Sequence, residues 1–293
     1  MTDATTARRP VTDVGEAFLR LHTAGRPLLL PNPWDAGSAR LLEALGFAAL
    51  ATTSGGFAGT RGRVDGSVTR DEALAHAAEV VAAVTVPVSA DLENGFADAP
   101  DAVAETVRLA LDTGLAGCSV EDWDPRREET YAPSLAVERV AAAAEAAHGG
   151  PRRLVLTART DAHLHGARDP EDLDATIARL QAFEAAGADV LYAPGVQSEA
   201  GIRRIVAAVS RPVNVLALAT APPVARLAEL GVARVSTGAG LFWAAMGGLV
   251  TAATALRDEG TYAFWDTVGP AREAAASAFT RSHSVPSEKN TGE

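Results

Sequence analysis

The sequence predicts a (β/α)₈ barrel of the TIM type. Three observations carry this: eight short β-rich runs, helical Ala-rich stretches between them, and glycines that close those helices. The β-rich runs are 27–33 (PLLLPNP), 48–53 (AALATT), 86–92 (VPVSADL), 117–122 (GCSVED), 154–160 (LVLTART), 189–194 (DVLYAP), 212–218 (PVNVLAL) and 233–238 (ARVSTG). Apolar residues at helical spacing mark 36–45, 70–84, 99–113, 135–148, 172–186, 200–209 and 222–230. Gly46, Gly114, Gly149, Gly187 and Gly231 each follow a last helical turn, where a left-handed residue costs glycine least. Helix, glycine turn and next strand thus repeat, which implies parallel strands joined by crossovers. A doubly wound open sheet is the alternative.

Residues 12–24 read as an extra helix under the barrel, and 240–256 and 262–279 as helices after the last strand. The barrel with these additions is expected to form one domain over 1–281, followed by a polar, disordered tail at 282–293. The stretch 240–256 (GLFWAAMGGLVTAATAL) is uncharged, but it is diluted by Gly, Ala and Thr and shorter than a spanning helix of about 20 strongly apolar residues. It reads as a helix buried in the chain or packed on a partner subunit.

The bulk properties exclude several classes. The chain has 293 residues, 47% hydrophobic and 22% charged, enough apolar material for one large core. A net charge of −11 argues against a nucleic-acid partner, which needs a basic footprint. Cys118 is the only cysteine, so neither an intrachain disulfide nor a thiolate metal cluster can form, and a cytoplasmic location is expected. The N-terminal segment has no apolar core of a secretory signal.

Such barrels work at the C-terminal ends of their strands. The ionisable residues there are uneven: Asp35, then Asp65 in the loop after the second strand, Asp91 and Glu93, Glu121 and Asp122, then Arg159 and Asp161, with none after strands six to eight. Carboxylates with few histidines suit a hard cation, Mg²⁺ or Mn²⁺. Asp91 and Glu93 at i and i+2 would share one face of a strand, with Glu121 on the neighbour. Arg159 is the fork for a substrate carboxylate, and the glycines of 52–56 (TTSGG) allow backbone N–H groups to approach an anion.

The runs NPWDAGSARLLEALGFAALATTSGG, VSADLENGF, GCSVEDW and ARTDA, in this order and on these strands, resemble the isocitrate lyase/phosphoenolpyruvate mutase superfamily from about residue 28 to 240. The resemblance implies an α/β barrel in a dimer or tetramer, with the C-terminal helix on a partner subunit. It implies that Asp91 binds Mg²⁺ directly and that Glu93 and Glu121 hold it through water. Ser54, Gly55 and Gly56 would grip the substrate carboxylate opposite Arg159, with Asp65 on a mobile segment near the metal. The shared chemistry is a pyruvate-enolate-like species made from a small carboxylate substrate. Trp34, Tyr192 and Asn214 are further candidate lining residues.

The departures bear on the reaction. The family's isocitrate and methylisocitrate lyases carry an acid–base cysteine in a Lys-Lys/Arg-Cys-Gly-His loop after strand four. Residues 123–131 (WDPRREETY) contain neither Cys nor His; they read as a lid whose Arg126 or Arg127 meets the substrate's distal group. Cys118 reads as a packing residue, and His163 and His165 as capping or surface residues. The mutases' asparagine-bearing gating loop is not evident, and YAPG after strand six lacks the lyases' glutamate. The expected function is a Mg²⁺-dependent carbon–carbon lyase for a 2-oxo or 2-hydroxy (di)carboxylic acid. The rivals are a phosphonopyruvate hydrolase or mutase-type P–C bond enzyme, and an inactive barrel acting as a binding partner.

Overall fold

The computed structural model describes residues 13–166 and 173–280. Its main sheet holds eight strands, all pairs parallel: β1 (Leu28–Leu30), β2 (Leu50–Ala51), β3 (Val88–Asp91), β4 (Gly117–Glu121), β7 (Val155–Arg159), β8 (Val190–Tyr192), β9 (Val213–Leu216) and β10 (Arg234–Ser236). Two further strands, β5 (Trp123–Asp124) and β6 (Glu129–Thr130), form a small antiparallel hairpin after β4. The order β1-β10-β9-β8-β7-β4-β3-β2 leaves one seam, between β1 and β2. Ala51 N–H donates to the Pro31 carbonyl (3.1 Å) and Asn32 Nδ2 to that of Thr52 (2.9 Å), drawing the seam together. The architecture is the (β/α)₈ barrel that the sequence predicts, and every predicted strand is present.

The crossover helices are α2 (Ala36–Ala44), α4 (Arg70–Ala83), α5 (Pro100–Asp112), α6 (Pro133–His148), α7 (Asp174–Ala185), α8 (Glu199–Ala208) and α9 (Val224–Glu229). Local chemistry starts them where expected: Thr69 and Glu72 form a reciprocal capping box on α4, and proline opens α5 and α6. Gly46 (φ 92°) and Gly187 (φ 106°) take the left-handed turn that glycine permits, whereas Gly149 stays right-handed at φ −79°, contrary to the sequence expectation. One helix was not foreseen. Thr53 caps α3 (Ser54–Thr60) by accepting from Gly56 N, so TTSGG turns directly into a helix despite its glycines.

The bottom of the barrel is closed by α1 (Val14–Leu19), whose Phe18 is fully buried among Leu28, Leu30, Ala49, Ala51, Ala116, Val155 and Val190. Gly117 is glycine because a Cβ there would lie 2.9 Å from both the Phe18 ring and the Val155 carbonyl. Gly117→Ala is therefore expected to destabilise the fold by about 1–3 kcal/mol through overpacking, seen as a thermal midpoint several degrees lower in calorimetry.

The imidazole of His76 on α4 stacks on Phe57 of α3 (3.9 Å, 6°), and its Nε2 lies 3.0 Å from the Trp34 carbonyl. Burial pushes its pKa down to about 4, and the nearby Arg61 charge acts in the same direction. The folded pKa lies below the unfolded value of about 6.5, so this contribution is complete above that pH and is lost as pH falls through 6.5 towards 4. Between pH 7 and pH 5 the wild type should lose about 1–2 kcal/mol more stability than His76→Gln in urea unfolding.

After β10 the chain enters α10 (Gly240–Glu259), then a 3₁₀ turn (Ala263–Asp266) and α11 (Gly269–Phe279), which packs back on α2. The predicted single helix over 262–279 is thus broken. In α10 only Phe242 is buried; Trp243, Leu249 and Val250 are about 60% exposed, so the helix is not buried within its own chain. No described helix is long and apolar enough to cross a membrane. The tail at 282–293 lies outside the described residues.

Candidate active site

Parallel register assembles the site. Glu121 on β4 is the partner of Arg159 on β7, which is the partner of Tyr192 on β8; Asp91 at the end of β3 is opposite Ser119 on β4. At the barrel mouth a cleft of about 170 Å³ is lined by Ser54, Asp65, Glu93, Glu121, Trp123, Arg159, Asp161 and His165. Beneath it a polar pocket of about 50 Å³ is bounded by Asp91, Arg159, Tyr192 and Asn214, so Arg159 joins the two.

Asp91 ends its strand with its N–H bonded to Thr52 Oγ1 (3.0 Å). Its Oδ2 accepts from the Ser54 backbone N–H (3.2 Å) and hydroxyl (2.9 Å), and Ser119 Oγ lies 3.5 Å from Oδ1. Arg159 is held on one edge by Asp161, with Nε and Nη2 donating at 2.6 and 2.5 Å, while Nη1 lies 3.2 Å from Glu121 and 3.7 Å from Asp91. Its guanidinium also sits over the Tyr192 ring at 5.5 Å. Asp161 is itself fixed: it is fully buried and its N–H donates to Asp122 (2.9 Å), whose other oxygen pairs with Arg179 (3.1 Å).

Glu93 reaches the cleft by a different route from the one expected. The strand stops at Asp91, and Glu93 stands in a left-handed turn (φ 48°) followed by Gly95 (φ 74°) and Phe96 (φ 56°). Such strain persists only where the surroundings impose it. Here buried Arg139 donates to the carbonyls of Asn94, Ala97 and Asp98, fastening the loop.

The charges are unbalanced. Asp65, Asp91, Glu93, Glu121 and Asp161 surround a single guanidinium, that of Arg159. Burial, then the Asp91 and Asp65 charges, push the Glu93 carboxyl up to about 8. Burial raises Glu121 well above the ordinary range despite Arg159, and Asp65 is raised by burial and by Asp91. Burial works to lower Arg159, but the Asp161, Glu121 and Asp91 carboxylates outweigh it and hold the guanidinium protonated.

Among the described residues, no three His, Cys, Asp or Glu side chains converge as a ready set of direct ligands. The donor set nevertheless fits Mg²⁺. These are hard oxygens carrying excess negative charge, and Mg²⁺ commonly keeps several waters while using one or two carboxylates. Asp91, Glu93 and Glu121 are the residues that would hold it.

The other predicted residues are placed as follows. Asp65 lies against Gly55, where a Cβ would come within 3.0 Å of its Oδ2. Gly56 is a packing glycine, filled against Thr53, Trp34 and Phe242, and Trp34 packs edge-on to Phe242 (5.6 Å). Asn214 bonds Ser236 (2.9 Å) and accepts from Arg234 (3.0 Å) deeper in the barrel. Arg126 pairs with Asp98 and Arg127 lies 3.7 Å from Asp124; both are mostly exposed and neither lines the cleft. The segment 123–131 is a hairpin anchored by buried Tyr131, whose hydroxyl donates to Asp98 (2.7 Å). Cys118 is fully buried in β4. His163 contacts Thr176 (2.8 Å), but His165, read from sequence as capping or surface, lines the cleft. Sequence reasoning missed Ser119, although it precedes Glu121 by two along β4 and shares its face; Thr52 and Trp123 fell within segments it singled out, 52–56 and 123–131, without being named as site residues.

The model of the phosphoenolpyruvate phosphomutase family matches residues 18–257, most of the chain. The chain belongs to the isocitrate lyase/phosphoenolpyruvate mutase superfamily. The 2-methylisocitrate lyase of Escherichia coli (strain K12) is 31% identical over 68% of this chain and 68% of its own. Two crystal structures from Burkholderia cenocepacia J2315 are similar. One, called a "putative lyase/mutase", is 49% identical with a TM-score of 0.85, over 89% of this chain and 95% of that one. The other, a "putative phosphonomutase", is 41% identical with a TM-score of 0.78, over 85% and 98%. These superfamily relatives carry the names of enzymes, a lyase in the first case and a "putative" lyase/mutase and phosphonomutase in the others.

Proposed function

We propose that this superfamily member is a Mg²⁺-dependent lyase that cleaves a carbon–carbon bond in a small 2-oxo or 2-hydroxy (di)carboxylic acid. The observation that carries the reading is Arg159, one guanidinium clamped by buried Asp161 and facing Asp91 and Glu121 at the barrel mouth. Asp161 takes the Nε edge, and Nη1, 3.2 Å from Glu121, is the end of the fork that turns to the mouth and would fix a substrate carboxylate. Ser54 and Ser119 orient Asp91, and Trp123 of the hairpin lines the mouth. When bound, Mg²⁺ would supply positive charge beside the substrate's C2 oxygen, which is negatively charged as the enolate from a 2-oxo acid or as the alkoxide from a 2-hydroxy acid. The lyase name of the Escherichia coli relative supports carbon–carbon cleavage.

The second reading, action on a P–C bond, is favoured by the phosphonomutase name of one similar structure. Coupled detection of pyruvate or glyoxylate from oxaloacetate, alkylmalates and phosphonopyruvate, with Mg²⁺ and with EDTA, separates the two. Turnover confined to phosphonopyruvate would replace the first reading by the second. Absence of all turnover would leave a barrel acting as a binding partner.

The same proposal includes a homo-oligomer, a dimer or tetramer, assembled through α10. A contiguous exposed apolar face of this kind marks an interaction surface. Leu249→Glu combined with Val250→Glu is expected to yield monomers in light scattering; an unchanged mass would move the interface elsewhere.

A further inference from the structure

Breaking a carbon–carbon bond in a 2-hydroxy acid requires a group that takes the hydroxyl proton and a group that protonates the departing carbon. Among the described residues lining the cleft, His165 is the only imidazole, and none is a thiol. Resting on the lyase reading above, we propose that His165 is the proton-transferring residue of that reaction.

Three observations place it there. Its ring is stacked face to face on Trp123 of the hairpin, with centroids 3.8 Å apart and planes within 5°. Its backbone N–H donates to the Asp161 carbonyl (3.2 Å), and its Nε2 stands 3.8 Å from Asp161 Oδ2, an ion-pair distance for the protonated ring. Its side chain is 36% exposed, so the ring can exchange protons with water between turnovers. The indole face fixes the plane of the ring. The charged groups around it are Asp161 and Arg159 beside it, and Glu121, Glu93 and Asp65 across the cleft. The backbone bond to Asp161 and the stack on Trp123 fix where the imidazole stands at the cleft.

Neutral His165 takes the proton from the C2 hydroxyl, and the O–H electron pair becomes the C2=O π bond. The C2–C3 bond breaks with its pair left on C3, and the imidazolium returns the proton to C3. The products are a 2-oxo acid and the protonated distal fragment. Atoms and charge balance without a co-reactant, and the ring ends neutral.

The test compares wild type with His165→Ala and His165→Gln in the full chain, using substrates from the screen above and oxalate binding as a check on the cleft. His165→Ala leaves a slot against Trp123 that added imidazole can fill. The expected result is kcat lower by about 100-fold or more in both variants, KM and oxalate affinity within about threefold of wild type, and recovery of about tenfold in His165→Ala with imidazole. A purely structural role would move oxalate affinity and give no imidazole rescue, which overturns the inference. So does an active wild type with undiminished variants, and this leaves the lyase reading standing. A wild type that turns over no 2-hydroxy acid overturns the inference, and one that turns over neither 2-oxo nor 2-hydroxy acids removes the lyase reading as well.

Discussion

Asp91→Ala is expected to abolish the Mg²⁺ signal in calorimetric titration and to lower kcat/KM by about 1,000-fold, with little loss of stability. Asp91 is where the strand geometry and the polar contacts of the site meet. It is the last residue of β3, its carboxylate accepts both donors of Ser54, and Arg159 lies 3.7 Å away. Removing it takes away the carboxylate proposed to contact the cation directly, and metal-assisted charge stabilisation accounts for several kcal/mol of a barrier. The fold should tolerate the change, because the main cost is one unpaired Ser54 N–H, about 1 kcal/mol. An undiminished Mg²⁺ titration in the variant would remove Asp91 from the metal site. Unaltered kcat/KM alongside a lost titration would show that the metal plays no part in the reaction.

The second large effect is expected at Arg159. Arg159→Met should lower kcat/KM by about 100- to 10,000-fold, the equivalent of one or two charge-assisted hydrogen bonds to a carboxylate. It should also destabilise the protein by about 3–5 kcal/mol, because Asp161 is fully buried and would lose the counter-charge on both oxygens. Arg159→Lys separates the two consequences. An ammonium restores part of the charge and therefore part of the stability, but it lacks the fork and should recover little activity. Denaturant unfolding beside steady-state kinetics reads both quantities. Equal recovery of stability and activity in the lysine variant would mean that Arg159 acts only as a structural counter-ion.

Both predictions rest on residues legible in the sequence, which by itself determined the architecture. Eight β-rich runs, helical spacing between them and the glycine turns sufficed, because period and turn chemistry are local properties of the chain. It also determined which side chains could meet: strand-end acids and Arg159 must share the mouth of any parallel barrel. Their partners were decided only by the tertiary structure. Glu121 faces Arg159 because β4 and β7 pair in that register, and Arg159 is clamped because Asp122, tied to Arg179, fixes Asp161. Glu93 enters the cleft through a strained turn held by Arg139, a residue 46 positions further along the chain by its numbering, and not by strand alternation. His165 becomes part of the cleft because the hairpin after β4 lays Trp123 over it. Contacts between elements distant in sequence leave no periodic trace in either segment, so they emerge only when the barrel closes and burial sets the charges against one another.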